Sequence, residues 1–382
     1  MFDFSVIIPT KNRISYCLEA VQSVLDLRDD RIQVVVQDNS DASNEERFHA
    51  RFPDAPGLKY HYHGGTLSFV DNFSEAVEQA DGQYLCMIGD DDGVLPNILQ
   101  AVELARTQHY DAVVPGLNAV YCWPSEHPFI RDAENGYLVL SYIGRGIHGV
   151  SCSDALQKLM KNGAQDYQSL FLPRIYHGIV SREMMQRIYN KTGRYFDGLS
   201  PDIYNAVALS LVCDRVCRLD YPITVSGICP RSGSSDSATG KHTGKLSEAP
   251  HFNGHQDYTW SEKVPEIYSV ESIWADSALC ALEKFGAGQL ADRFNVGYLD
   301  QLCLKKYPQF REEIRAHRKR HGVPALPSGA CFTWRKTKAW LCRAFRRAVR
   351  RPGDVRKYYQ VPDIRAAIQI TQKAICQDEN HR

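Results

Sequence analysis

The chain has no surplus of either charge: 45 Lys and Arg face 45 Asp and Glu over 382 residues. That excludes a chain-wide cationic footprint, and no nucleic-acid partner is expected. No apolar run reaches the length of a membrane span. The opening residues, MFDFSVIIPTKNR, lack the basic stretch and long apolar core of a secretory leader. The twelve cysteines are scattered; Cys213 and Cys217 are the closest pair, and no second pair or His pair at zinc spacing completes a site. They read as free thiols of a reducing cytosol. No G-x-G-x-x-G follows the first apolar run, which argues against a dinucleotide-dependent oxidoreductase. No internal repeat is found.

Hydrophobic residues make up 43% of the chain, enough for one large or two modest cores. Short apolar runs alternate with helical patterns in the first third. Ser5–Ile8, ended by Pro9, Val34–Val36 and Tyr84–Ile88 read as strands buried on both faces. Between them lie helical stripes, one with Leu18, Val21 and Leu25, another with Phe69, Phe73, Ala76, Val77 and Ala80. A further helix follows Pro96, then a strand at Ala112–Val114. This alternation predicts the α/β class, a mostly parallel sheet with helices on both faces. Ligands of such sheets bind beyond the carboxyl ends of the strands. Thr10, Asp38 and the run Asp90-Asp91-Asp92 all fall at such ends. Residues 121–172 carry little signal. His177–Ser181 and Tyr221–Val225 read as strands, and from Ser261 onward the pattern is mainly helical.

The run Asp90-Asp91-Asp92 lies in CMIGDDDGVLP, with no basic residue beside it. Adjacent carboxylates repel, and a divalent cation relieves the repulsion. Mg²⁺ or Mn²⁺ takes hard oxygen ligands, commonly one or two carboxylates with phosphate oxygens completing the shell. A solvated acidic turn is the competing reading. A calcium loop is disfavoured, because the D-x-D-x-D-G spacing with a distal Glu is missing.

Three segments in order, SVIIPTKNR, VVVQDNSDAS and NFSEAVEQADGQYLCMIGDDDGVLP, resemble the nucleotide-sugar-binding half of family 2 glycosyltransferases, which have the GT-A fold. The likeness is close over residues 4–98 and looser to about residue 230. It implies an inverting enzyme that moves a sugar from a nucleotide-diphosphate donor, with a UDP-sugar favoured. Pro9, Thr10 and Arg13 would line the nucleotide pocket, with Asp38 accepting from the base and Asn72 beside it. The family often has Asp where this chain has Gly89. By the resemblance, Asp91 or Asp92 would hold Mg²⁺ or Mn²⁺, and Asp90 and Asp91 would meet the sugar-nucleotide.

Transfer with inversion needs a general base for the acceptor hydroxyl. Ser200-Pro201-Asp202 reads as a helix start with Ser200 as N-cap and Pro201 in the first turn. The resemblance places the base here, so Asp202 is the candidate and Asp197 the fallback. Acidic residues also favour any first helical turn, and the helix N-terminus stabilises the carboxylate while weakening it as a base. Residues 230–247, PRSGSSDSATGKHTGKLS, form a Ser/Gly-rich loop with Arg231, Lys241, His242 and Lys245 in or beside it. Composition alone favours an ordinary disordered loop; its place after the base raises the reading of a lid over the diphosphate, with Arg231 binding the donor.

Residues 334–351, WRKTKAWLCRAFRRAVRR, hold eight Lys or Arg and no acid. At helical spacing Trp334, Leu341, Phe345, Ala348 and Val349 share one arc. That pattern suits an anionic membrane surface; a surface helix on the body and a nucleic-acid stripe are the alternatives. The expected organisation is residues 1–235 as the catalytic domain, 236–325 as a loop and helical extension on the acceptor side, and 326–382 as a basic tail. The expected location is cytoplasmic, at the inner face of the membrane. The expected acceptor is a glycan or polyprenyl-diphosphate-linked sugar of a cell-surface polysaccharide. A non-catalytic scaffold of the same fold is the competing function.

Overall fold

A computed structural model describes residues 2–125, 134–230, 232, 243–246, 258–324 and 355–380. Arg231, Lys241 and His242 of the expected lid, and all of 334–351, lie outside the described residues.

The N-terminal elements are β1 (Phe4–Thr10), α1 (Ile14–Leu25), β2 (Ile32–Asp38), α2 (Glu45–Arg51), β3 (Leu58–Tyr62), α3 (Phe69–Glu78), β4 (Tyr84–Met87), β5 (Gly93–Val94), α4 (Ile98–Thr107) and β6 (Ala112–Val114). Next come β7 (Ala119–Cys122), β8 (Tyr137–Leu140), β9 (Ile147–Gly149), α5 (Cys152–Lys161), β10 (Ile179–Ser181), α6 (Arg182–Thr192), α7 (Pro201–Val212), β11 (Val216–Leu219) and β12 (Thr224–Ile228). The chain continues through β13 (Thr243–Lys245), β14 (Ile267–Ser269), α8 (Val270–Lys284), α9 (Gly288–Ala291), α10 (Val296–Lys306) and α11 (Arg311–Arg320), and returns as β15 (Arg356–Tyr359) and α12 (Ile364–Asn380).

Eight strands form the main sheet in the order β3-β2-β1-β4-β10-β6-β11-β9. β3, β2, β1 and β4 are mutually parallel, whereas β10 runs antiparallel to both its neighbours. β1 and β2 are buried along their whole length. Alternate residues feed two cores, as the period of a strand requires. Ile7, Val35, Leu85 and Met87 pack with α3, α5, α6 and α7; Phe4, Val6, Ile8, Val34 and Cys86 pack with α1 and α4. The expected α/β architecture, helices on both faces and a mainly helical C-terminal region, is therefore present.

Local details differ. β1 does not stop at Pro9 but runs to Thr10, in register with Asp38. Pairing with β4 has ended at Ile7, so the missing N–H of Pro9 breaks no ladder there. Phe69 is not a core residue: it is 56% exposed, and Val70 is buried in its place. The strand expected at His177–Ser181 starts at Ile179, because His177 adopts a left-handed φ of 60°.

A second sheet, β15-β8-β7-β12-β5, was not foreseen. Its outer strand comes from the C-terminal segment, where Arg356–Tyr359 pair with Tyr137–Leu140. α12 then buries Ile364, Ala367 and Ala374 against Leu95, Tyr121, Leu138 and Val225. Tyr121 Oη donates to the Val361 carbonyl at 2.9 Å. An appended C-terminal region is thus corrected for residues 355–380, which complete a sheet and a core. Among the described residues no helix is long and apolar enough to cross a membrane.

Candidate active site

Parallel pairing brings the ends of β1, β2 and β4 to one edge, with Thr10 opposite Asp38 and Ile7 opposite Met87. The aspartates follow β4 directly. The segment before β10 runs along the end of β4: Met87 N donates to the Ile175 carbonyl at 2.9 Å and His177 N to the Met87 carbonyl at 2.8 Å. β12 reaches the same place through β5, with Val225 opposite Gly93. Gly227 permits that approach, since a Cβ there would lie 1.7 Å from the Asp91 carbonyl oxygen.

Each aspartate of the triplet has its own partners. Asp90 accepts from Thr10 Oγ1 at 2.6 Å and Arg13 Nε at 3.0 Å, and Arg13 Nη2 lies 2.6 Å from its second oxygen. This two-pronged pair fixes Arg13. Asp91 Oδ2 accepts from the Cys229 N–H at 2.9 Å, with Arg13 Nη1 4.0 Å away. Its own carbonyl accepts from Trp123 Nε1 at 2.8 Å. Asp92 is enclosed on both oxygens. Oδ1 accepts from Gly227 N at 2.6 Å; Oδ2 accepts from Gly89 N at 2.6 Å and Tyr176 Oη at 3.1 Å, with His177 Nε2 at 3.3 Å. Burial pushes all three carboxyls above the usual range, Asp92 to about 6. For Asp90 the Arg13 guanidinium opposes that rise. His177, buried and near Arg174, is held down to about 3 and is neutral.

Asp202 differs. Its carboxylate has no hydrogen-bond partner among the described residues. Burial raises it to about 6, with Arg174 pulling down and Asp92 pushing up. It lies in the first turn of α7, whose start is set by Pro201. Ser200 does not cap with its side chain, as was expected; Ser277 Oγ on α8 instead accepts from the Leu199 and Ser200 N–H groups. Desolvation of the partly enclosed carboxyl thus acts against the helix terminus, which favours the ionised form. Asp197 is engaged elsewhere: it accepts from Gly198 N and pairs with Lys284 at 3.3 Å.

The remaining candidates are placed less directly. Pro9 is a buried strand residue. Asp38 is fully buried and bonded internally: Oδ1 accepts from Ser40 N, and Oδ2 from Asn44 Nδ2 and Tyr60 Oη. These bonds form the turn after β2, and contact with a base stays a proposal for Asp38. Asn72 is buried on α3, and its carbonyl oxygen has no partner among the described residues. Sequence reasoning missed Arg174, Tyr176 and His177, which carry no motif, and the N–H donors of Gly227 and Cys229, which carry no side-chain signal.

With every acid ionised, Asp90, Asp91, Asp92 and Asp202 face the guanidiniums of Arg13 and Arg174. The surplus of two negative charges matches one divalent cation. The donor set fits narrowly, because no group of three His, Cys, Asp or Glu side chains among the described residues forms a cage. Asp92 is consumed by protein donors on both oxygens, whereas the donors to Asp91 come from Cys229 alone, with Arg13 4.0 Å away. One carboxylate with phosphate oxygens is a normal Mg²⁺ environment.

Residues 5–128 match the family model described as Glycosyl transferase family 2. Over that stretch the chain is similar to the family. The stretch contains Thr10, Arg13 and the aspartate loop, while Arg174, Tyr176 and Asp202 follow it. The architecture is α/β, with helices on both faces of the main sheet. Solved structures the chain resembles include S. aureus TarS 1-349 in complex with UDP-GlcNAc, at 14% identity, 84% of this chain, 92% of that chain and a TM-score of 0.46. Another is mannosyltransferase PcManGT from Pyrobaculum calidifontis in complex with GDP-Man and Mn²⁺, at 14% identity, 99% of this chain, 88% of that chain and a TM-score of 0.37. No curated protein sequence matches the chain.

Proposed function

We propose that this glycosyltransferase transfers a sugar with inversion from a nucleotide-diphosphate donor, a UDP-sugar foremost, to a hydroxyl of a glycan or lipid-linked acceptor, with Asp202 as general base. The observation that carries this is the Asp202 carboxylate. It is unpaired among the described residues, raised to about 6, and electrostatically coupled to Asp92 of the aspartate loop. A base is most effective with its pKa near the working pH, so this aspartate is better suited to take a proton than one in water.

Asp202 takes the acceptor hydroxyl proton as that oxygen forms its bond to the anomeric carbon. The bond from that carbon to the donor phosphate breaks from the opposite side, and its electron pair leaves with the diphosphate. Arg13, fixed by Asp90, contributes a cation beside the donor. Asp91 would hold Mg²⁺ or Mn²⁺, which when bound neutralises charge on the diphosphate. Asp92 keeps the loop in shape. Asn72 supplies an unused acceptor beside β1 and β2, and Arg231 a further cation for the donor. Docking of 334–351 on the anionic inner membrane face, and a role in surface polysaccharide, are proposed from sequence alone.

The test is thermal shift with UDP, GDP, dTDP and NAD, each with and without Mn²⁺, followed by sugar transfer. One nucleoside diphosphate should stabilise the protein in a Mn²⁺-dependent way. Asp202→Asn should keep that stabilisation and lose transfer by about 10²- to 10⁴-fold. Stabilisation by NAD alone, or near-normal transfer by Asp202→Asn, refutes the reading.

A further inference from the structure

Trp123, the residue after β7, is buried, and its indole Nε1 donates to the Asp91 carbonyl at 2.8 Å. That bond fixes the plane of the peptide between Asp91 and Asp92. The Asp91 carboxylate is held from the same sheet: its Oδ2 accepts at 2.9 Å from the N–H of Cys229, one residue past β12. The two donors are tied to each other, since Trp123 N donates to the Ile228 carbonyl at 3.0 Å. A Cβ on Gly227 would stand 3.1 Å from Trp123 Nε1 and 1.7 Å from the Asp91 carbonyl oxygen, so the bond crosses a gap that glycine leaves open.

The ring itself is fixed from two directions. Tyr16 of α1, whose N–H donates to the Arg13 carbonyl at 3.1 Å, meets the indole edge-on with centroids 4.9 Å apart. Tyr121 of β7 does so at 5.3 Å and is itself bound to the Val361 carbonyl ahead of α12. Such T-shaped contacts are open to Phe as well as to Trp. Phe lacks the N–H, and a buried indole N–H costs stability unless it is bonded. Packing alone therefore does not require Trp at this position; the bond to Asp91 does.

We propose that Trp123 is a positioning residue for the divalent ion: by fixing the Asp91 backbone at the end of the second sheet, it aims the Asp91 carboxylate at the Mg²⁺ or Mn²⁺ of the donor complex. The inference rests on the reading of Asp91 as that ion's ligand and names a residue outside the loop on which the ion's affinity depends.

The full-length protein tests this by Mn²⁺ binding, read by electron paramagnetic resonance as loss of the free-ion signal, with UDP and with GDP present. Trp123→Phe and Trp123→Met keep an apolar side chain and remove the donor. Each should weaken Mn²⁺ binding by about 10- to 100-fold, the usual loss when a group that orients a metal ligand is removed. Tyr121→Phe is the contrast. It cuts the bond to Val361 in the same cluster but keeps the indole, and should lower the melting temperature without moving Mn²⁺ affinity. Binding as tight as the wild type in either folded Trp123 variant overturns the proposal. So does an equal loss in Tyr121→Phe, which would trace the effect to the stability of the cluster. Failure of both Trp123 variants to fold, seen by circular dichroism, overturns it as well, since the indole would then serve the core alone. Wild-type protein that binds no Mn²⁺ with either nucleotide refutes the metal reading itself, a result distinct from Mn²⁺ binding that ignores Trp123.

Discussion

The aspartate loop and the first turn of α7 share one neighbourhood of charge but are built on opposite terms. In the loop, Asp90 is gripped by Thr10 and Arg13, and Asp92 is closed in by Gly89, Gly227, Tyr176 and His177. Their bonds offset the repulsion of adjacent acids and give the loop one shape. At α7 a single carboxylate has no such partner. Bonds to Asp92 offset part of the cost of burying it, whereas Asp202 has no hydrogen bond among the described residues to offset its own. The first arrangement suits a scaffold for an ion and a diphosphate. The second suits a group that must exchange a proton.

The comparison breaks first if the loop does not depend on its surroundings. The loop leads into Gly93, which packs on Ile364 and Ile368 of α12, while Gly227 of β12 abuts Asp91. Removing residues 355–382 should abolish the cooperative melt. It strips an outer strand and several buried apolar residues, each worth about 2 to 5 kcal/mol, from a domain stable by about 5 to 15 kcal/mol. A truncated protein that melts within a few degrees of the full chain would show the brace to be dispensable. Gly227→Ala should cost about 1 to 3 kcal/mol or more by overpacking and end the Mn²⁺-dependent response to nucleoside diphosphate. A normal response would mean that the Asp91 backbone yields freely.

Within the loop, the two metal candidates should separate. Asp92→Asn places an N–H₂ group against existing donors and should destabilise by about 1 to 3 kcal/mol. Asp91→Asn should change stability less, yet remove the Mn²⁺-dependent shift. Denaturant melts with and without Mn²⁺ decide this; the opposite pattern would return the ion to Asp92.

How much could be read beforehand follows from the range of the forces involved. β1, β2 and β4 were legible because strands buried on both faces are continuous apolar runs. β3, with the half-buried LKYHY, offers no such run. β15 pairs with β8 across more than two hundred residues, and no local pattern marks that partner. In the site, Thr10, Asp38 and the aspartates were legible as polar chemistry at strand ends and Asp202 as an acid at a helix start, whereas Arg13 and the role of Asp202 came only through the family resemblance. Arg174, Tyr176 and His177 lie in irregular backbone, and their place is set by pairing with Met87 rather than by periodicity. Asp38 shows a different limit: its bonds to Ser40, Asn44 and Tyr60 come from the packed turn, whereas its strand-end position alone favours ligand contact over turn formation.

The smallest effect tests the energetic side of the comparison. A carboxyl whose folded pKa is raised supports the fold below its unfolded value and withdraws that support as the pH climbs through the folded value. For Asp202 that window runs from 3.8 to about 6. Asp202→Asn has no proton to lose there, so it should match the wild type at acid pH and exceed it at neutral pH. A rise of this size corresponds to at most about 3 kcal/mol, reduced by the solvent that reaches a partly exposed side chain. Melting temperatures of the two proteins across the window provide the measurement. A gain that is equal at both ends would come from something other than charge. No gain at neutral pH would mean that Asp202 is well solvated, and the contrast with the aspartate loop would then be one of geometry without an energetic cost.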